Sequence, residues 1–185
     1  MNDHFKAFEY KVLSAGEDGR YLIEVLEMYL KPASSILELG MGPGRDLDIL
    51  KEKYRVTGSD ISNGFLDLYR AKNPQADLLI LDAASIETSG KFDCIYSNKV
   101  LHQLSRSDLK RSFARQVELL NPGGLLCHSF WYGDKTVEHR GAKFEYYTER
   151  TILEYISSGI KLLYFQTYMQ MIPDDSALFI FMRME

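Results

Sequence analysis

Apolar runs of strand length alternate with helical patterns along most of this chain. Residues 35–39, 54–60, 77–82, 92–97 and 125–130 are strand candidates, most of them short apolar runs that fit strands covered on both faces. Between them lie amphipathic segments. Residues 20–30 carry Leu22, Val25, Leu26 and Tyr29 on one stripe, and residues 63–71 follow a capping Ser62 and stop before Pro74. Residues 107–120 repeat Phe113, Val117 and Leu120 at three- and four-residue steps, with Ser107 as the expected cap, and residues 148–157 read as a further helix. Strand–helix alternation implies parallel strands joined by right-handed crossovers. The end of the chain differs. Residues 161–171, the turn Ile172-Pro173-Asp174-Asp175 and residues 176–184 read as a hairpin, so one strand is expected to run against the rest. The prediction is one α/β sandwich built on about seven strands.

Composition narrows the class. The chain has 185 residues, 45 % of them hydrophobic and 26 % charged, with 22 Lys plus Arg against 26 Asp plus Glu and a net charge of −4. That is globular, not disordered, and large enough for a real core. Two cysteines, Cys94 and Cys127, sit in apolar runs and read as buried thiols of a reducing compartment, so a cytoplasmic location is expected. No apolar run has the length to span a bilayer, the first eleven residues lack an apolar signal core, and no metal-ligand spacing is present. The mild acidity argues against a general nucleic-acid binder, and Arg106, Lys110, Arg111 and Arg115 read as a solvated helix face.

The most informative stretch is Glu38-Leu39-Gly40-Met41-Gly42-Pro43-Gly44-Arg45-Asp46, between a strand and a helix. Glycines let the backbone turn sharply and approach a ligand, and the helix beyond offers free N–H groups. The dinucleotide fingerprint G-x-G-x-x-G wants a small residue where Arg45 stands, which argues against a pyrophosphate. Asp60 ends the second strand twenty residues after Gly40, where a carboxylate can accept from both ribose hydroxyls. Asp82 ends the third. These strand ends meet at the carboxyl edge of the sheet, where such folds bind ligands.

At these residues the sequence resembles the class I S-adenosylmethionine-dependent methyltransferases, in order, from about Ile36 to the end. Residues 38–44 look like the motif that wraps the methionine part of the cofactor. Asp60 looks like the ribose acid with Ile61 beside the adenine, and Asp82-Ala83 resembles the segment at the adenine edge. Phe92-Asp93-Cys94-Ile95-Tyr96-Ser97-Asn98 resembles the fourth-strand motif, Val100 to Leu104 the short helix after it, and Asn121-Pro122-Gly123-Gly124 the turn before strand five. The resemblance implies a Rossmann-like three-layer sandwich with a seven-stranded, mostly parallel sheet and an antiparallel C-terminal strand. It also implies a single domain over residues 1–185, with 1–33 as lid and helix and 34–185 as core. The implied cofactor is S-adenosylmethionine, leaving as S-adenosylhomocysteine, with Glu38, Gly40, Gly42, Gly44, Asp60, Ile61, Asp82, Ala83 and Ser97 as its binding residues.

Methyl transfer from a sulfonium is an in-line displacement, so positioning and exclusion of water carry much of the work, and a base is needed only for acceptors of high pKa. His102, four residues after Asn98, is the candidate base; the other role open to it is local packing. His128, inside an apolar strand, reads as a satisfied core histidine, and His139 as solvated. Residues 131–144 form a long connection, from which Trp131 and Tyr132 are expected to wall an acceptor and Arg140 to hold an anionic one. Tyr10 is expected to reach the substrate from an N-terminal lid. Ser97-Asn98-Lys99-Val100 departs from the Asn/Asp-Pro-Pro-aromatic motif of enzymes that methylate base or glutamine amide nitrogens. The expected acceptor is therefore a small molecule, with no nucleic-acid or membrane partner, in a monomer or homodimer. Two readings stay open beside it, a nicotinamide-dependent oxidoreductase and a non-catalytic S-adenosylmethionine-binding module.

Overall fold

The computed structural model describes residues 18–139 and 141–184. Tyr10 and Arg140, both expected at the acceptor, lie outside the described residues. In chain order the elements are α1 (Arg20–Leu26), β1 (Ser35–Leu39), α2 (Arg45–Leu50), β2 (Arg55–Asp60), α3 (Asn63–Arg70), β3 (Asp77–Ile80) and β4 (Phe92–Asn98). After a 3-10 turn at Leu101–Gln103 come α4 (Arg106–Leu119), β5 (Leu120–Trp131), β6 (Thr136–His139), β7 (Ala142–Glu145), α5 (Glu149–Ile152), β8 (Ile160–Tyr168) and β9 (Ser176–Arg183). Seven strands form one sheet in the order β3-β2-β1-β4-β5-β9-β8. The first five are parallel, and β9 runs antiparallel between β5 and β8. The expected Rossmann-like sandwich and closing hairpin are therefore both present. Among the described residues no helix is long and apolar enough to cross a membrane.

The near-continuous apolar strands divide residue by residue between two cores. Ile36, Cys94, Tyr96, Cys127, Leu178 and Ile180 face α1, where Leu22, Ile23, Val25 and Leu26 are buried against them. The alternate positions Leu37, Leu39, Ile95, Leu126, Phe130, Phe179 and Phe181 face Leu109 and Phe113 of α4. This is the period-two geometry of strands buried on both faces. Both cysteines are buried free thiols.

Local chemistry sets the boundaries. Ser62 caps α3, its Oγ accepting from the Phe65 N–H. The cap of α4 is Ser105, not Ser107: Ser105 is the extended residue whose Oγ accepts from the Asp108 N–H at 3.2 Å. Asn121-Pro122-Gly123-Gly124 does not interrupt the chain before strand five but lies inside β5, where the pairing with β4 shifts register between Phe92 and Cys94. Asp93 fastens this bulge. It accepts from the Ser35 N–H and Oγ at 2.8 Å each and from Asn121 Nδ2 at 2.7 Å. The helix expected over 148–157 is a single α-turn with a Thr148–Thr151 capping box, followed by a 3-10 turn at Leu153–Tyr155. Residues 131–144 are not wholly loop, because β6 and β7 pair antiparallel there with Val137 opposite Phe144. Only those two positions of the ribbon are large and apolar, which leaves almost no period-two signal to read.

One buried polar chain crosses the α4 side of the sheet, and its donors are fixed by counting hydrogens. Ser112 Oγ donates to Ala83 O at 2.6 Å, so it can only accept from Gln116 Nε2 at 3.0 Å. Gln116 Oε1 then accepts from His128 Nε2 at 2.8 Å, and His128 Nδ1 accepts from Ser97 Oγ at 2.9 Å. Burial drives the His128 pKa down to about 3, so the ring is neutral in the folded chain. A histidine with a depressed folded pKa stabilises fully above its unfolded value and loses that contribution as pH falls toward the folded one. Urea unfolding should therefore show His128 costing on the order of 3 kcal/mol between pH 7 and pH 4. His128→Gln, which cannot titrate, should narrow the stability gap between those two pH values; an unchanged gap assigns the acid loss elsewhere.

Candidate active site

The order of the sheet creates the site. Chain connections leave β1 and β4 in opposite directions, so a crevice opens at their carboxyl ends. The glycine turn lines it from one side. Gly40 and Gly42 adopt φ of 66° and 51°, the left-handed region that favours glycine. At Gly40 a Cβ would meet Val100 Cγ2 at 2.5 Å, a packing requirement, whereas at Gly42 nothing lies within 4 Å of a Cβ. The bare backbone at Gly42 borders open cavity, as an approach by a ligand demands.

Two cavities meet here. One of about 130 Å³ is lined by Glu38, Gly40, Gly42, Asp46, Asn98, Lys99 and their neighbours Asp18, Arg45 and Gln170. The other, about 410 Å³, is lined by Asp60, Ile61, Phe65, Asp82, Ala83 and Leu104, and again by Gly40, Gly42, Asn98 and Lys99. Asp60 stands at the end of β2 with Oδ2 accepting from the Gly42 N–H and Oδ1 from the Ser62 N–H, both at 2.9 Å. Asp82 Oδ1 accepts from the Ala84 N–H and holds the next loop in shape.

The crevice is rich in negative charge. Glu38 is buried, and its Oε2 has no hydrogen-bond partner among the described residues. Burial, then Asp46, Asp60 and Asp48, push its pKa well above the usual carboxylate range. Asp46 accepts from the Gly19 N–H at 2.6 Å, from the Tyr96 hydroxyl at 2.7 Å and from Asn98 Nδ2 at 3.0 Å. Asn98 Oδ1 accepts from Ser129 Oγ, which itself accepts from the Lys99 N–H. These bonds join the glycine turn, β4 and β5 at the rim.

The structure gathers Glu38, Gly40, Gly42, Asp60, Ile61, Asp82 and Ala83 around the two cavities. Gly44 is not on the wall. A Cβ there would strike the Tyr69 ring at 2.3 Å, so its role is packing. Ser97 lines neither cavity; it is fully buried and turned to His128. The premise for His102 fails too. Asn98 ends β4 and does not share a helix with His102, which is 3 % exposed, lies between the rings of Trp131 and Phe144 and lines neither cavity. Burial and the charge of Lys99 bring its pKa down to about 3, too weak for a base at neutral pH. Trp131 and Tyr132, expected to wall an acceptor, line neither cavity; Trp131 stands beside Lys99 and Tyr132 packs against Phe165.

Sequence reasoning passed over Asp46, Asn98 and Lys99. The available signal was polar: Ser97, Asn98 and Lys99 stand together at the end of the fourth strand, between the apolar pairs Ile95-Tyr96 and Val100-Leu101.

A sheet of this order, with a ligand crevice at its β1/β4 switch point and an acid closing β2, defines a Rossmann-like domain for a nucleoside-bearing cofactor. Residues 36–124 match the family model described as a methyltransferase domain. Among curated proteins, trans-aconitate 2-methyltransferase of Methylobacterium radiotolerans is 33 % identical over 94 residues, covering 49 % of this chain and 35 % of that one. The tRNA (carboxymethyluridine(34)-5-O)-methyltransferase of Saccharomyces cerevisiae is 29 % identical over 122 residues, covering 63 % and 43 %. The chain spans less than half the length of the curated relatives it matches. Among solved structures, the 1,6-didemethyltoxoflavin-N1-methyltransferase of Burkholderia thailandensis, with bound 1,6-didemethyltoxoflavin and S-adenosylhomocysteine, aligns with a TM-score of 0.77. That alignment covers 99 % of this chain and 90 % of that one at 18 % identity, a likeness of fold.

Glu38 generates a test on the free protein. An acid whose folded pKa is raised destabilises the fold as pH rises past its unfolded value. Glu38→Gln should therefore leave stability at pH 8 unchanged or raise it by about 1 kcal/mol in urea unfolding. A loss above about 2 kcal/mol would mean the carboxylate has a structural partner.

Proposed function

We propose that this chain is a methyltransferase that passes the methyl group of S-adenosylmethionine to a small-molecule acceptor. The observation that carries the reading is the pair of cavities joined at Gly40, Gly42, Asn98 and Lys99, with Glu38, whose Oε2 has no hydrogen-bond partner among the described residues, on one side and Asp60 on the other. Their chemistry fits the cofactor at both ends. The ammonium of its amino-acid part would supply a cation to Glu38 Oε2, and the bare turn at Gly42 leaves room for the chain. Asp60, which lines the larger cavity, offers carboxylate oxygens as acceptors to ribose hydroxyls. Ile61, Asp82 and Ala83 offer an apolar and polar edge for the base.

When bound, this cofactor supplies an electrophilic methyl on a sulfonium. The protein's part is to hold the acceptor in line and keep water out, which is worth roughly 7–11 kcal/mol. A small acceptor is supported by relatives named for trans-aconitate and for 1,6-didemethyltoxoflavin, and the two buried free thiols support a reducing compartment. A nicotinamide cofactor fits less well, since Arg45 stands where the dinucleotide fingerprint wants a small residue.

Isothermal calorimetry tests the reading. Micromolar binding of S-adenosylmethionine and S-adenosylhomocysteine is expected, and none of NADH; equal or tighter NADH binding rejects it. Asp60→Asn should weaken S-adenosylhomocysteine binding by roughly 1–3 kcal/mol through a lost charged hydrogen bond. Unchanged affinity would release Asp60 from the ribose. A screen with bound cofactor, comparing small acceptors with tRNA, decides the acceptor class and whether the module is catalytic at all.

A further inference from the structure

Lys99 is the unusual residue of this site. It follows β4 with φ of 55°, a conformation that costs a lysine energy and persists only when its surroundings impose it. It lines both cavities. In S-adenosylmethionine the sulfonium is the atom between the amino-acid chain and the adenosyl group. A cofactor occupying both cavities must place its reacting centre where they join, beside Asn98 and Lys99. From there the Lys99 side chain crosses to the ends of β5 and β9. Its Nζ lies 2.8 Å from Phe130 O, 2.6 Å from Ser176 Oγ and 3.9 Å from the centre of the Trp131 ring.

The direction of each bond is fixed. Ser176 Oγ donates its one hydrogen to Asp175 Oδ1, so it accepts from Nζ, and the Phe130 carbonyl can only accept. Two N–H bonds of Lys99 are thereby committed. In the neutral amine the remaining tetrahedral position is a lone pair; in the ammonium it is a third N–H. We propose that Lys99 is the catalytic base of this reaction, taking the proton of a hydroxyl or amine acceptor held where the two cavities join.

The inference rests on the methyltransferase reading. The acceptor O–H or N–H bond breaks, its electron pair forms the new bond to the methyl carbon, and the carbon–sulfur pair returns to sulfur as a neutral thioether. The proton stays on Nζ until water removes it. The Trp131 face stabilises the ammonium so formed. Burial lowers the Lys99 pKa to about 7 against a raising effect of Asp175, which suits a base working near neutrality. A sulfonium nearby favours the neutral amine further, by like-charge repulsion.

The groups around Lys99 do not confuse a titration near neutrality. His102 titrates at about 3 and Tyr168 at about 12. Asp175 is held below its usual range, since N–H donors from Gln170, Ile172 and Met171 outweigh its burial. Glu38 acts on the shared amino-acid part of both cofactor forms, and the ratio of their affinities reduces its contribution.

The experiment is calorimetry of S-adenosylmethionine and S-adenosylhomocysteine with the whole chain between about pH 6 and about pH 8.5, for the wild type, Lys99→Met and Lys99→Arg. In the wild type the ratio of the two affinities should shift toward the sulfonium by roughly tenfold as pH rises. Lys99→Met should flatten that shift and Lys99→Arg should hold the ratio low throughout, while S-adenosylhomocysteine affinity stays within about threefold. A wild-type ratio that does not move with pH, which needs no variant, overturns the proposal, since a base beside the acceptor must sense the sulfonium. Failure of both ligands to bind strikes the methyltransferase reading instead. Among acceptors, loss of roughly 100-fold or more in kcat with phenols or amines in Lys99→Met, restored in part by added methylamine, supports the base. Turnover of carboxylic acids alone, undiminished in Lys99→Met, overturns it.

Discussion

A 2.9 Å hydrogen bond from the Gly42 N–H to Asp60 Oδ2 ties the loop after β1 to the end of β2. Most of the crevice depends on this tie. It holds the main chain of the glycine turn against an acid from the neighbouring strand, with the second oxygen of Asp60 fixing the start of α3 through Ser62. The turn can make that bond only because its φ values are positive, and Gly42 carries no side chain into the space beyond. One carboxylate thus sets the shape of the turn and presents the polar face of the larger cavity.

The electrostatics of the crevice divide along the sheet. Glu38, Asp46 and Asp60 crowd this end of β1 and β2, and burial first, then repulsion by its neighbours, raises the proton affinity of Glu38. Such a cluster is costly in the empty protein and is relieved by a bound cation. At the other lip, above β4 and β5, stands the amine of Lys99, desolvated among aromatic rings. Acids gather at the β1 and β2 side of the crevice and a nitrogen base at the β4 and β5 side. Asn98 separates them, bonded to Asp46 through one end of its amide and to Ser129 through the other.

The sheet was legible because it is written in local terms. Ile36-Leu37, Ile95 and Leu126 stand in apolar runs bounded by Gly40, Ser97 and Gly124, and the terminal hairpin is bounded by Pro173. The left-handed turn was legible for the same reason, since three glycines in five residues have few other uses. What escaped reading depends on register or on partners distant in sequence. The ribbon of β6 and β7 has only Val137 and Phe144 to announce it. Ser97 fits a binding motif by position, but strand alternation turns it to His128. His102 looked like a base until the packing of Trp131 and Phe144 sealed it. Lys99 looked like a motif failure because its partners, Phe130 and Ser176, lie 31 and 77 residues away.

These misplacements share one physical cause. A titratable side chain is judged by what desolvates it and what remains to accept or donate, and neither is a property of the residue type. His102 and Lys99 stand three positions apart at the end of the same strand, and burial lowers the proton affinity of both. The imidazole starts from 6.5 and is carried out of the useful range; the amine starts from 10.5 and is carried into it. Desolvation therefore disables the residue usually favoured as a base and brings the one usually treated as a fixed charge into the neutral range. With both side chains desolvated, the lysine is the better proton acceptor at neutral pH.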